Sequence, residues 1–309
     1  MQRHSSINDL TDENRGASVA IGNFDGVHLG HQAVLDIARD WGNAPLGVLT
    51  FEPHPREFFA PDAPAFRLMN SDARAHRLEK LGVAQLYEMP FNRDLSSLTP
   101  DEFVKQVLVD ALGVAHVVVG ADFCFGAKRS GSAQDLVDLG EKYGFAVTLA
   151  QLLERTDLTV SSTQIRNALT EGRPRDAAEM LGHWHRIEGE VITGEQRGRE
   201  LGFPTANISL AGLHQPRFGV YAVLVEVLDG PHAGNYHGAS SIGVRPMFDG
   251  EVPNCETFLF DFSADLYGSR ISVGLVDYLR PELKFNGLEA LIKQMDEDCD
   301  QARAILTAL

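Results

Sequence analysis

From Ala17 to Ala150, short apolar runs alternate with longer segments whose apolar residues recur every three or four positions. Ala17–Ile21, Leu46–Phe51, Val83–Glu88, Ala115–Gly120 and Phe145–Ala150 read as strands. His31–Asp40, Ser71–Leu81, Pro100–Leu112 and Ala133–Tyr143 read as the helices between them. Val114 to Gly120 is nearly continuous in apolar residues, as expected of a strand covered on both faces. This alternation predicts an α/β domain with a Rossmann-like parallel sheet and right-handed crossovers. Two further helices are expected at Thr163–Leu169 and Pro174–Leu181.

Past His183-Trp184-His185-Arg186 the pattern changes. Ile187–Thr193, Gly219–Leu228, Tyr236–Gly243, Glu256–Phe262 and Ile271–Tyr278 are short strands separated by Gly, Pro and Asp turns, which predicts a small antiparallel β-barrel. Helical spacing returns at Gly287–Leu309, where Leu288, Leu291, Ile292, Met295, Ala302, Ile305 and Leu306 form one stripe, a C-terminal helix. The expected domains are residues 1–183 and 187–309.

Composition narrows the function classes. Of 309 residues 44% are hydrophobic and 23% charged, so long disorder is not expected. The net charge of −16 is shared: 17 Lys and Arg stand against 25 Asp and Glu up to His183, and 10 against 18 beyond it. Neither part carries the basic footprint of a nucleic-acid or anionic-membrane binder. Cys124, Cys255 and Cys299 form no C-x-x-C pair and fit a reducing compartment. There is no signal-peptide h-region at the N-terminus and no apolar run long enough to span a bilayer, so the expectation is a cytoplasmic protein. Composition leaves open whether it forms a homo-oligomer.

Candidate chemistry starts where the first strand ends, at Gly22-Asn23-Phe24-Asp25-Gly26-Val27-His28-Leu29-Gly30-His31. Two glycines make the turn and two histidines three apart share the first helical turn. N–H groups and the helix dipole make such a place an anion site, and imidazoles there are placed to touch phosphate. The plainer reading is a strand–turn–helix with two solvated histidines. A metal site lacks a nearby Glu or third His. No G-x-G-x-x-G follows this strand and no P-loop motif occurs, which disfavours ordinary dinucleotide binding and P-loop hydrolysis.

The loop Gly120 to Gly131 combines Asp122, Phe123, Phe125, Lys128 and Arg129. Aromatics can flank a flat ring while the bases meet phosphates, or the loop is a solvated basic turn beside core aromatics. Ser161-Ser162-Thr163-Gln164-Ile165-Arg166 opens a helix and reads either as an N-cap or as a second phosphate clamp; a cap needs only one hydroxyl.

In the second domain, Thr205 and Asn207 lie two apart in Gly198–Asn207, so an extended segment turns both side-chain oxygens to one side. Neutral oxygens with phosphate and water suit Mg²⁺; the alternative is a turn bonded to its own backbone. Strand parity puts Glu256 on one face with Phe258, Phe260 and Phe262. If that face points into the barrel, burial raises the carboxyl pKa into a range useful for a general base. If it faces an interface, Glu256 sits on the rim.

GNFDGVHLGH, TFEPHP at Thr50–Pro55, GADFCFGAKRSG and SSTQIR resemble the prokaryotic bifunctional riboflavin kinase/FMN adenylyltransferase (FAD synthetase) family. LGFPTAN, FGVYAV, SIGVRPMF, ETFLFDFSADLYG and LRPELKF resemble its riboflavin kinase module. The resemblance implies a nucleotidyltransferase domain followed by a kinase barrel, with riboflavin, FMN, FAD and ATP as small-molecule ligands and Mg²⁺ as cofactor. It places His28, His31 and Arg166 in adenylyl transfer, with Gly22, Phe24, Asp25, Gly30, Ser161, Ser162 and Thr163 around the nucleotide. Asp122, Phe125 and Arg129 would meet the flavin. Gly202, Thr205 and Asn207 would hold the second nucleotide, the last two with the metal, and Glu256 would be the base. Many members carry Asn where this chain has Asp122, and A-N-I-G-x-R-P-T where it reads Ser240 to Met247. A kinase with a drifted front domain, a non-catalytic flavin-binding regulator and an aminoacyl-tRNA synthetase fragment are the rivals.

Overall fold

The computed structural model describes residues 1–7, 10–151, 154–155, 158–193, 202–247 and 250–309. The chain divides into two compact units, Met1–Pro64 with Arg74–Val160, and Ala65–Ala73 with Ser161–Leu309.

In the first unit six strands form one parallel sheet: β1 (Gln2–His4), β2 (Ser18–Ile21), β3 (Leu46–Glu52), β4 (Gln85–Pro90), β5 (His116–Gly120) and β6 (Ala146–Ala150). Their spatial order is β1-β4-β3-β2-β5-β6, with every pair parallel. After the edge strand β1, the chain passes to the middle with β2, builds outward through β3 and β4, then crosses to β5 and β6. Strand order therefore reverses beside β2, the position where such sheets bind ligands. The main core lies against strand residues such as Val19, Ile21, Leu49, Val117 and Val119. Helices α1 (Leu29–Arg39), α2 (Pro55–Phe59), α3 (Ser71–Lys80), α4 (Pro100–Phe103) and α5 (Ala133–Tyr143) accompany the sheet, and α4 runs on to Ala111 in wider π turns. α3 begins in the second unit and continues in the first. The sequence did not announce β1, whose three residues gain strand character only by pairing with β4.

In the second unit α6 (Ser162–Thr170) and α7 (Pro174–Leu181) precede six antiparallel strands. These are β7 (His185–Glu190), β8 (Thr205–Ser209), β9 (Gly219–Val227), β10 (Gly234–Met247), β11 (Gly250–Leu259) and β12 (Arg270–Arg280), in the order β7-β12-β9-β10-β11-β8. The two edges meet where the Ile192 N–H donates to the Asn207 carbonyl at 2.9 Å, which curls the sheet into a barrel. The interior takes Ile208, Val223, Val225, Cys255, Val273 and Leu275. A second cluster on the outer surface joins Phe260 and Val276 to Ala302 and Leu306 of α8 (Leu288–Thr307). Only the later part of the predicted helical stripe is buried, and Leu288 is exposed. Asp298 is also buried, its carboxylate gripped by Arg280 at 2.7 and 2.8 Å.

Segment 65–73 is bound into this unit. The His214 N–H donates to the Arg67 carbonyl at 2.8 Å, and Asn70 Nδ2 to the Glu188 carbonyl at 2.9 Å.

Two buried histidines remain neutral. His116, at the start of β5, has Ser18 Oγ at 2.9 Å from Nδ1, Thr148 Oγ1 at 2.8 Å from Nε2, and Trp41 stacked on its ring at 4.0 Å. Burial lowers its pKa to about 4. Burial, then His183 and His214, lowers that of His185 to about 3. Below an unfolded pKa of about 6.5 the unfolded chain binds protons that the fold refuses, so stability falls with falling pH. Melting temperature is expected to drop between pH 6.5 and 4, and His116→Gln, which keeps hydrogen-bonding capacity without titrating, should flatten that drop. An unchanged pH dependence in the variant would contradict this.

Candidate functional site

The β2–α1 connection is tightly determined. His28 is the N-cap of α1, and its Nδ1 accepts the His31 N–H at 3.3 Å. The two rings stack at 3.7 Å and 13°, with the Phe24 ring 5.0 Å from His31. A Cβ on Gly30 would lie 3.1 Å from Cε1 and Nδ1 of His28, so glycine permits the stack. Burial, and secondarily His28, holds the His31 pKa well below the usual imidazole value, and its Nδ1 is buried with no partner among the described residues. The plain reading of two solvated histidines is excluded: these are partly dehydrated rings at a helix start. The N–H groups of Leu29 and Gly30 precede any intrahelical acceptor.

Phe24 (φ 52°) and Val27 (φ 44°) adopt left-handed backbone that side chains disfavour, and both are buried. Strain of this kind persists only where surrounding contacts over-determine it. The Val27 N–H bonds the Phe24 carbonyl at 3.2 Å and Gln32 Nε2 donates to the Val27 carbonyl at 2.9 Å, while Arg74 holds the loop at the adjoining Asn23. Its guanidinium is 2% exposed and meets Glu88 at 2.7 Å, Glu52 at 2.9 Å and the Asn23 carbonyl at 3.4 Å. Arg3 also pairs with Glu88, and Thr50 Oγ1 donates to the Asn23 carbonyl at 3.3 Å. Asp25 is buried in the same loop.

The 120–131 loop leaves the carboxyl end of β5, a hydrogen-bonded neighbour of β2, so both loops start side by side. Asp122 is exposed, with its carboxylate folded back over Gly120, where a Cβ would come within 2.9 Å of Oδ1. Phe125 is buried in the core and stacks on Phe123 at 5.6 Å. Lys128 (φ 54°) and Arg129 (φ 56°) are exposed on consecutive left-handed residues. From the β3 and β4 ends come Phe51, Phe58, Phe59 and Phe91, edge to face at 5.2–5.7 Å, with Phe59 69% exposed. Sequence reasoning passed over this cluster. Its signal was TFEPHPREFF, an apolar pair just after a proline-rich turn.

In the second unit Ser161 caps α6, its Oγ accepting the Gln164 N–H at 3.3 Å, which leaves the cap to one hydroxyl. Thr163 is exposed and Ser162 half-buried. Arg166 donates through Nε to the Phe66 carbonyl at 2.6 Å, with its guanidinium over the Phe66 ring.

On the barrel, β8 and β11 pair so that Asn207 stands opposite Glu256 and Thr205 opposite Phe258. Asn207 is buried, and its Nδ2 donates to the Thr205 carbonyl at 3.2 Å. Asn254 Nδ2 stands 3.1 Å from Asn207 Oδ1 and 3.3 Å from Glu256 Oε1. Of the two readings of the Glu256 face, the structure takes the outer one and not the barrel interior. Cys255 and Leu259 fill the barrel, whereas Phe258 and Phe260 face the outer cluster beneath α8, and Glu256 shares that outer face, half-buried. Phe262 packs on the barrel cluster instead, because Asp261 (φ 58°) breaks the alternation. Ser241 lies opposite Glu256 on β10. Phe203 follows Gly202 and packs on Phe258 at 5.2 Å. Residues 198–201 of the GRELGFPTAN stretch, the 157 position and Phe248 lie outside the described residues, as does the Met247 side chain.

A family model described as FAD synthetase matches residues 10–164, and one described as riboflavin kinase matches 181–306. The bifunctional riboflavin kinase/FMN adenylyltransferase of Pseudomonas fluorescens is 42% identical to this chain, covering 99% of it and 98% of the relative. The protein of that name from Listeria monocytogenes is 37% identical over 98% of this chain and 96% of its own. That from Escherichia coli K12 is 39% identical over 92% and 90%. A crystal structure described as a macrolide-efflux protein from Streptococcus pneumoniae superimposes with a TM-score of 0.82 at 30% identity, covering 98% of both chains. Among the described residues of the present chain, no helix is long and apolar enough to cross a membrane.

Because a Cβ at Gly30 would lie 3.1 Å from the His28 ring, closer than ordinary van der Waals contact, Gly30→Ala is expected to push that ring by a few tenths of an ångström. Misplacement of this order should cost about tenfold in the turnover of this site. Kinetics beside a structure of the variant checks both; a displaced ring with unchanged turnover would show that the stack is not used.

Proposed function

The chain belongs to the bifunctional riboflavin kinase/FMN adenylyltransferase family, and from that premise we propose how its residues divide the two reactions. The barrel phosphorylates riboflavin with ATP to give FMN and ADP. The N-terminal module joins FMN to the adenylyl group of a second ATP, giving FAD and pyrophosphate. Each is an in-line displacement at phosphorus, in which catalysis is mostly positioning and electrostatics.

In the kinase reaction Glu256 takes the proton of the riboflavin 5′-hydroxyl as that oxygen attacks the γ-phosphorus. Thr205 and Asn207 hold the nucleotide with Mg²⁺, and Gly202 lies beside them in the same nucleotide-binding stretch. The donor set suits that ion: a hydroxyl and an amide oxygen on one strand face, with a carboxylate opposite and room for few protein ligands. When bound, Mg²⁺ supplies positive charge to the phosphoryl oxygens. Asn207 fixes its own amide by donating to the Thr205 carbonyl, so its oxygen is presented as the acceptor.

In the adenylyl transfer a phosphate oxygen of FMN attacks the α-phosphorus and the bond to the β-phosphate oxygen breaks. His28 and His31 stabilise the α-phosphate in the transition state. The lowered basicity of His31 suits directed N–H donation, with no need for a resident positive charge. Ser161, Ser162, Thr163 and Arg166 act as a phosphate clamp, and Gly22, Phe24, Asp25 and Gly30 shape the nucleotide side of the β2–α1 loop. Asp122, Phe125 and Arg129 serve the flavin, Phe125 through packing from the core.

The observation that carries this reading is the register of β8 on β11, which sets a metal-type amide opposite a carboxylate in a chain that also holds a stacked histidine pair at a helix start. Riboflavin with Mg-ATP should give FMN first and FAD after a lag, resolved by chromatography over time. His31→Ala should abolish FAD while FMN accumulates; equal loss of both products would overturn the two-site assignment. Glu256→Gln should abolish FMN formation yet still convert supplied FMN to FAD, and undiminished phosphorylation would remove Glu256 as the base.

A further inference from the structure

One residue beside the kinase pair has no part in the reaction as written. Asn254 lies two positions before Glu256 on β11, so both side chains share the outer face. Its single Nδ2 group reaches Asn207 Oδ1 at 3.1 Å and Glu256 Oε1 at 3.3 Å. Exchanging the amide's O and N would set an oxygen against two acceptors, so the network itself assigns this orientation. Asn207 is pinned in turn by its bond to the Thr205 carbonyl. The result is a directed chain in which Asn254 donates to both functional groups and Asn207 passes the constraint to β8.

A second observation separates Asn254 from ordinary sheet packing. Its Oδ1 is buried and has no hydrogen-bond partner among the described residues. A buried acceptor left unmade costs about 1–3 kcal/mol, and such groups are scarce in native proteins. An aliphatic side chain would fill this position without that cost, so an amide is retained for what its N–H groups do.

We propose that Asn254 is a positioning residue of the kinase site, which fixes the spacing between the Asn207 oxygen and the Glu256 carboxylate before substrates arrive. It acts through those two residues and touches no reacting atom. The proposal rests on the reading of Glu256 and Asn207 given above.

Two substitutions test it by their order. Asn254→Ala removes both hydrogen bonds and leaves space. Asn254→Asp keeps the shape but turns the donor into an oxygen facing an amide oxygen and a carboxylate. Loss of an outer-shell partner commonly costs about 10–100-fold. Asn254→Ala should therefore lower kcat for FMN formation about tenfold, and Asn254→Asp about 100-fold, with KM for riboflavin within about twofold in both. A packing role predicts the reverse order, because Asp fills the space that Ala leaves empty. Conversion of supplied FMN to FAD by the same chains reports folding and should stay within about twofold of the unsubstituted protein. Asp milder than Ala, or a loss confined to KM, overturns the proposal. Should Asn254→Asp lose both activities, Asn254→Ala decides, and kcat equal to that of the unsubstituted protein overturns it. Glu256→Gln run alongside separates the premises: retained phosphorylation there defeats the reading of Glu256, whereas its loss with unaffected Asn254 variants defeats only this inference.

Discussion

The first unit depends on one guanidinium. Arg74 is buried under the carboxyl ends of β2, β3 and β4, and each of its contacts leads to a different strand: the Asn23 carbonyl after β2, Glu52 in β3, Glu88 in β4. Two carboxylates approaching in a medium of low dielectric repel, and a buried charge without a partner is strongly unfavourable. The cluster can exist only if all its members arrive, so it ties three loop origins into one rigid edge. The loop tied down at Asn23 is the one that carries the left-handed Phe24 and Val27 and leads into the histidine pair.

On the proposed assignment, the two sites meet polyanionic substrates on an acidic chain in different ways. The front site offers dehydrated imidazoles and helix N–H groups, whose directionality does not depend on net charge. The barrel site offers an amide, a hydroxyl and a carboxylate, a set that attracts phosphate only through an intervening cation. On that assignment, a net charge of −16 does not stand in the way of binding ATP at both sites.

Much of this was legible in the sequence. The alternation of periods gave the parallel sheet, and the short span from Ile21 to His28 forced a strand–turn–helix. Parity correctly joined Glu256 to Phe258 and Phe260 on one face. It left open which side that face takes because β11 is apolar on both: Cys255 and Leu259 face the barrel, and the phenylalanines face α8. A single strand cannot say which of two covered surfaces is the interior. Arg74 was hidden for another reason. It sits in a polar helix where arginine is ordinary, and only the folding of β3 and β4 beside it brings Glu52 and Glu88 within reach. Asn254 was likewise invisible until β8 supplied Asn207 as its partner. The grouping of α6 with the barrel also escaped the sequence, since it depends on how helices pack and not on where the periodicity changes.

The strap at 65–73 has a bearing on how the chain is made. The polypeptide leaves one compact unit, returns to it, and leaves again after Val160, so neither unit is a continuous length of chain. During synthesis Asn70 emerges long before Glu188, the residue whose carbonyl it will meet 118 positions later. A stretch of nine residues must therefore stay uncommitted on the ribosome while the whole remainder of its neighbours' sheet is completed, and a gene cut cleanly between the modules would strand it in the wrong half.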